Sequence, residues 1–413
     1  MKRPRLKLVI PWVGLLILAC LFRAPLLEQI RDRATLANDG PSPEVVSDMI
    51  EQASDPRGAL LAAWNSGKVV HREMAIKEIS RVVPQSQELP SDFENILLSG
   101  SFDPDMNVRE SALGALQVRN DPALTALAAA QLNDADPSVR LLGVNHLRTA
   151  PANIGLPLAS GMLDDPDLVV VGMSLKLLEN WSGEKFGTQL AGTTQVEDPQ
   201  TGLLAFPEQG VAKTKMAVER ARIWWIAHQR EFPQMHLQMP EGSSLARRPL
   251  SASDFQLATL DGQKVRLSDF RGKVVLINFW TTWCTACLSE MPELIALQKQ
   301  QGDQLVILGV SLDFVPDDDG DKQAEPTVIR SKIARTIHSR GINYRVLLDE
   351  HNEVGGRFNG NELPTTVIVD AQGNIRRRFV GARSLPVFEA MIAEARQKMP
   401  LNMKQDQMNT KTF

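Results

Sequence analysis

Three stretches of the chain, DPDMNVRESALGAL, DADPSVRLLGVNHL and DDPDLVVVGMSLKLL, begin at Asp103, Asp134 and Asp164 and are variants of one pattern. Val108 and Val139 are 31 positions apart, and Pro137 and Pro166 are 29 apart. A looser copy, VHREMAIKEI, starts at Val70. A period near 30 belongs to arrays of paired helices. One pair cannot bury its own apolar face, whereas stacked pairs can.

The physics of each copy is legible. Asp and Pro mark a helix start, where free backbone N–H groups favour an acidic cap and Pro costs least. Val, Leu and Ala then recur at helical spacing as an inward stripe. Arg109 and Arg140 follow the valines, placed to bond preceding carbonyls or acids. PALTALAAAQL and NIGLPLASGML read as partner helices. Over about residues 44–183 the array resembles HEAT-type repeats. A further helix at 211–232 carries Trp224 and Trp225 as core or cap residues and closes the array. The all-α domain is therefore set at 44–240, followed by a linker at 241–251. It is either a scaffold or a surface on which a protein partner docks.

The rest of the chain must be a second domain, since 413 residues exceed what one core usually holds. A net charge of -4 gives no general attraction to nucleic acid. The start is distinctive. MKRPRLK is basic, and Leu8 to Phe22 carry no charge. Such a segment is an export or anchor signal, with its basic end left in the cytoplasm. Residues 1–23 are expected to be a single-pass anchor, and 24–43 a polar spacer. A cleaved signal peptide, lipidation at Cys20 and a buried helix of a soluble protein are the alternatives.

From residue 252 the periodicity changes. DFQLATLDGQKVRLSDFRG reads as a hairpin turning at Asp261-Gly262. KVVLINFW (273–280) and QLVILGVSLD (304–313) are continuous apolar runs, as expected of strands covered on both faces. Helical segments lie between them and SLPVFEAMIAEARQK follows at the end, which argues for an α/β layer. The domain is set at 252–398, with a polar tail at 399–413.

Two of the three cysteines fall where the first run should pass into a helix, in TTWCTACLSE. Cys284 stands at the junction and Cys287 one turn on, so both sulfurs lie close enough to bond. Unpaired N–H groups at a helix start favour a thiolate on the first cysteine. Cys284 should then be the exposed attacker and Cys287 the more buried resolving thiol. A purely structural disulfide over so short a loop constrains little of the unfolded chain. Zinc would need further ligands that are not nearby. A c-type haem would need His where Leu288 stands. Pro292 should kink the helix.

KVVLINFWTTWCTACLSEMPEL, with NELPTTVIVDAQGNI later, resembles the thioredoxin superfamily and, within it, the TlpA/ResA-like membrane-tethered thiol–disulfide oxidoreductases. The resemblance covers roughly 252–398. It implies a central mixed sheet flanked by helices and a redox-active Cys284–Cys287 disulfide, with Cys284 as nucleophile and Cys287 resolving. It implies a substrate surface of Trp283, Leu363, a cis Pro364 and Thr365. It also implies a disulfide-containing protein substrate, a membrane-linked thiol electron donor, and no cofactor or metal. Many thioredoxins place a buried Asp near the position of Asn278, which cannot take a proton. Glu290, three residues after Cys287, matches an acid of the ResA-like subgroup. On a helix it shares a face with Cys287, and burial would raise its pKa so that it can exchange protons with that thiol.

Other features are read as ordinary. The insertion VPDDDGDKQAEP (315–326) is a solvated loop, without the Glu a calcium loop needs. Arg376, Arg377 and Arg378 form a charged strand face. The six histidines are scattered. The function implied is an extracytoplasmic protein-disulfide reductase, serving cytochrome c maturation or thiol repair. A disulfide oxidase or isomerase, and a non-enzymatic scaffold built on the repeats, are the alternatives.

Overall fold

The computed structural model describes residues 43–66, 68–187, 196–197, 204–205, 207–232, 237–240, 250–315 and 325–397. The expected anchor with Cys20, the spacer up to residue 42, most of the 315–326 insertion and the 399–413 tail lie outside them. Among the described residues no helix is long and apolar enough to cross a membrane.

The N-terminal domain is helical: α1 (Pro43–Glu51), α2 (Pro56–Asn65), α3 (Val69–Val82), α4 (Ser91–Gly100), α5 (Met106–Val118), α6 (Ala123–Gln131), α7 (Pro137–Leu147), α8 (Ala152–Gly161), α9 (Leu168–Ser182) and α10 (Glu208–His228). The aspartates of the recurring pattern start these helices. Asp105, Asp136 and Asp167 cap α5, α7 and α9, each accepting from N–H groups of the first turn. Two residues earlier, Asp103, Asp134 and Asp165 each accept from the amide of the capping Asp, at 2.9, 2.8 and 2.8 Å.

The same three acids take an arginine from the preceding repeat. Arg72 forks onto Asp103 at 2.8 and 2.9 Å, and Arg140 onto Asp165 with both bonds 2.7 Å. Arg109 reaches Asp134 at 3.1 Å. Arg109 also donates to the Asp103 carbonyl and Arg140 to the Asp134 carbonyl. All three arginines are buried. The ladder thus ties each repeat to the next through charges that have left water and that need partners there. Around it run two apolar clusters, one through α1 to α7 and one from α6 to α10. Trp224 and Trp225 pack against the second. α10 starts three residues earlier than the sequence predicts, and 229–231 continue it as a 3₁₀ turn.

The second domain is an eight-stranded mixed sheet with helices on both faces. Its strands are β1 (Leu250–Ser251), β2 (Gln256–Ala258), β3 (Lys264–Arg266), β4 (Val274–Trp280), β5 (Leu305–Ser311), β6 (Arg345–Leu348), β7 (Thr365–Val369) and β8 (Asn374–Val380). Its helices are α11 (Thr285–Gln301), α12 (Pro326–Arg340), α13 (Glu353–Arg357) and α14 (Leu385–Arg396). The order is β1-β8-β7-β4-β5-β6-β2-β3. β4, β5 and β6 are parallel, and β7 runs antiparallel to β4. β1 takes residues 250–251 from the expected linker.

β4 is buried at every residue. Side chains alternate across a strand, so Val275, Ile277 and Phe279 join the cluster with Phe255 and Phe358, while Val274 and Leu276 join that with Leu294 and Phe388. Asn278 therefore lands on the α11 side. α11 continues through Pro292 as one helix.

The arginine run corrects an expectation. Arg377 and Arg378 are not a solvated strand face; both are buried. Arg377 meets Asp134 at 2.7 Å and Glu394 at 2.5 Å. Arg378 meets Asp105 at 2.7 Å, and its amide donates to the Pro104 carbonyl at 3.0 Å. β8 of the second domain thus docks on the acidic helix starts of the first. Burial opposes charge on Asp134, but Arg377 and Arg109 outweigh it and hold the carboxyl below the usual range.

Candidate redox site

α11 begins at Cys284, the N-cap, whose sulfur accepts from the Cys287 amide at 3.1 Å. The two sulfurs are bonded, with 2.08 Å between them and 5.3 Å between the Cα atoms. Cys284 is 8% exposed and Cys287 2%. The first sulfur is the more open of the pair, although less open than the sequence alone implies. The reason lies in the cluster of Trp280, Met291, Phe314 and Leu348 that encloses both. The loop before α11 is pinned by Asp313, which accepts from the Thr282 amide at 3.0 Å and from its hydroxyl. The next residue, Trp283, immediately before Cys284, is 58% exposed.

The opposite wall comes from the turn before β7. The Leu363–Pro364 bond is cis. Leu363 packs against the cluster holding the two cysteines. Thr365 is buried and pairs with Phe279 across the β7–β4 ladder. Its hydroxyl donates to the Glu362 carbonyl. The Pro364 carbonyl is held from outside the turn by the Gly381 amide, at 2.8 Å.

Glu290 lies one turn past Cys287 and is 2% exposed. Its carboxylate accepts from the Asn278 side chain at 3.0 Å and from the Arg383 amide at 2.7 Å. Asn278 also donates to the Thr366 hydroxyl at 3.1 Å, tying α11 to β7 through β4. Burial pushes Glu290 up to about 7; the Arg383 amide, Asn278 and the Arg383 charge pull the other way. A carboxyl in that range can hold or release a proton near neutrality. Burial and the Glu290 charge together hold the Tyr344 phenol well above its ordinary value.

The structure therefore brings Cys284, Cys287 and Leu363 into one cluster, with the exposed Trp283 next to Cys284 in the chain. Glu290, buried, follows Cys287 by one turn of α11. Sequence reading singled out Asn278 as a departure but not as the partner of Glu290, and missed Arg383 altogether. The pairing of Asn278 with Glu290 was recoverable from the inward side of β4 facing α11. Arg383 gave no local signal.

Residues 250–378 match the AhpC/TSA family. Over 134 residues the chain is 34% identical to thiol-disulfide oxidoreductase ResA of Geobacillus kaustophilus (strain HTA426), spanning 32% of this chain and 68% of that protein. The chain belongs to the ResA-like thiol-disulfide oxidoreductases. It is likewise 35% identical over 130 residues to thioredoxin-like protein YneN of Bacillus subtilis (strain 168), covering 32% and 69% of the two chains. A thiol:disulfide interchange protein of the thioredoxin family from Chlorobium tepidum TLS is 26% identical, covers 36% of this chain and 97% of its own, and has a TM-score of 0.30. As a ResA-like protein the chain is a thiol-disulfide oxidoreductase. The helical domain lies outside these matches.

Proposed function

We propose that the chain is an extracytoplasmic protein-disulfide reductase, tethered to a bacterial cytoplasmic membrane by residues 1–23. The observation that carries the catalytic part is the sulfur pair at the start of α11, preceded by the exposed Trp283 and followed one turn later by a buried acid. In the reduced protein the Cys284 thiolate attacks one sulfur of a substrate disulfide. The substrate S–S bond breaks, a mixed disulfide forms, and one substrate thiolate leaves. Glu290 takes the proton of Cys287, whose thiolate attacks the Cys284 sulfur. The mixed disulfide breaks and the second substrate thiolate leaves. Two electrons have passed to the substrate, and the Cys284–Cys287 bond is formed. A membrane-linked thiol donor returns them. The backbone of Leu363 and Thr365 flanking Pro364 is the surface for an extended substrate segment. The basic start and uncharged run of the sequence support the tether, and cytochrome c maturation or thiol repair are the roles it fits.

Trapping tests this reading. A Cys287→Ser chain expressed in its native compartment should accumulate mixed disulfides on Cys284 with proteins whose own cysteines rest oxidised. Capture of none, or of proteins delivered in the reduced state, contradicts it. A reduction potential well below about -200 mV fits a reductant, and one near about -120 mV fits an oxidase. Deleting residues 1–23 should release the protein from the membrane fraction; an unchanged distribution would remove the tether.

A further inference from the structure

The segment after β8 touches both functional walls of the redox site. The Gly381 amide holds the Pro364 carbonyl at 2.8 Å, and the Arg383 amide holds Glu290 at 2.7 Å. The side chain of that same Arg383 leaves the redox domain. It reaches Asp136 at 3.1 and 3.3 Å and the Ser138 hydroxyl at 3.0 Å, at the start of α7. It also donates to the carbonyls of Val380, Gly381 and Ala382 and lies over the Phe379 ring at 4.8 Å. One guanidinium thus gathers its own segment and clamps it to a cap of the helical domain. Asp136 is 1% exposed, so water offers the guanidinium little competition there.

We propose that Asp136 and Ser138 are positioning residues of the redox site, gripping Arg383 so that the 381–383 amides stay on Pro364 and Glu290. The helical domain then does more than carry the redox domain, because it sets the proton affinity of the buried acid. The inference rests on the reading of Glu290 as the group that exchanges protons with Cys287. An N–H bond and a nearby positive charge both favour the carboxylate. A loosened segment therefore lets the pKa of Glu290 rise. The charged and titratable groups acting on Glu290 are Arg383 after β8, Glu293 on α11 and Tyr344 before β6. Glu293 is itself engaged, accepting from the Leu385 amide at 2.8 Å.

The test uses the full chain and two readouts. One is the titration of the Glu290 carboxyl carbon by NMR in the oxidised protein. The other is the pH dependence of disulfide reduction by dithiothreitol. Asp136→Asn keeps a capping oxygen for α7 and weakens the clamp. It should raise the Glu290 midpoint by about half a unit to one unit, and the inflection of the rate should move with it. Asp105→Asn breaks the contact with Arg378, which does not touch Glu290, and should leave both unchanged. In an Arg383→Gln background Asp136→Asn should add nothing. An unmoved midpoint in Asp136→Asn, or an equal shift in Asp105→Asn, overturns the proposal. Should Asp136→Asn fail to fold, Arg383→Lys leaves the helical domain intact, and an unmoved midpoint there overturns it equally. A midpoint that moves while the rate inflection stays supports the clamp and removes the proton role of Glu290 instead.

Discussion

In the helical domain the groups taken out of water together are arginine–aspartate pairs, and they recur, although burial lifts the Asp103 carboxyl above its usual range against the pull of Arg72. Arg72, Arg109 and Arg140 each meet an aspartate of the next repeat, and each aspartate also orders the turn that starts a helix. In the redox domain the central strand β4 is apolar apart from Asn278, and the buried Glu290 that Asn278 meets has amides rather than a cation fork as partners. The difference shows two ways of fixing geometry. A charge ladder sets register between units that would otherwise slide, since a buried charge without its partner is costly. An apolar strand covered on both sides fixes a rigid platform, and the acid at Glu290 stays poised because no cation neutralises it fully.

The comparison breaks at its catalytic end first. Cys284→Ser should reduce disulfide reductase activity to background, because the remaining thiol, Cys287, is buried away from a substrate disulfide. Unaffected turnover would make the helical domain the working part and the redox domain an adaptor. Next comes the ladder. Arg72→Met leaves Asp103 buried without its cation and should destabilise the helical domain by about 3–5 kcal/mol, read by urea unfolding. A cost below about 1 kcal/mol would show that the ladder is ornament and that the apolar clusters set the register.

Glu290 sharpens the contrast through pH. Its pKa rises on folding from 4.5 to about 7, so between those values the folded chain holds a proton that the unfolded chain has released. Its contribution to stability is complete below pH 4.5 and is lost as pH rises through 7. Glu290→Gln should remove that loss and leave the variant about 3 kcal/mol more stable than the wild type at pH 8. It should also slow regeneration near neutrality without unfolding the domain. Equal stability of both proteins from pH 4 to 8, or wild-type rates across pH 5–8, contradicts the assignment. The smallest effect belongs to one cap. Asp167→Ala removes two bonds to the first turn of α9 and should cost about 1 kcal/mol, with the Glu290 titration unchanged.

These differences also explain what the sequence made legible. The Asp caps, the arginines after each valine, the strand before Cys284 and the helix after it are local patterns, set by neighbours within a few positions. The burial of the Arg376–Arg378 run was hidden because an acid that neutralises it is far away: Asp105 is 273 positions from Arg378. Nothing near a charged strand says that a distant set of helix caps will neutralise it. The raised pKa of Glu290 is foreseeable from its place one turn after Cys287. Its control by an amide 93 positions later is not, since a backbone donor leaves no mark on residue choice.

Alkylation of the reduced, full-length protein tests the central assignment most directly. With limiting iodoacetamide and mass-spectrometric mapping across pH, Cys284 should be modified first, with a midpoint below the ordinary thiol value of about 8.5, and Cys287 should lag far behind. Labelling that favours Cys287, or a Cys284 that reacts only after denaturation, would contradict the account.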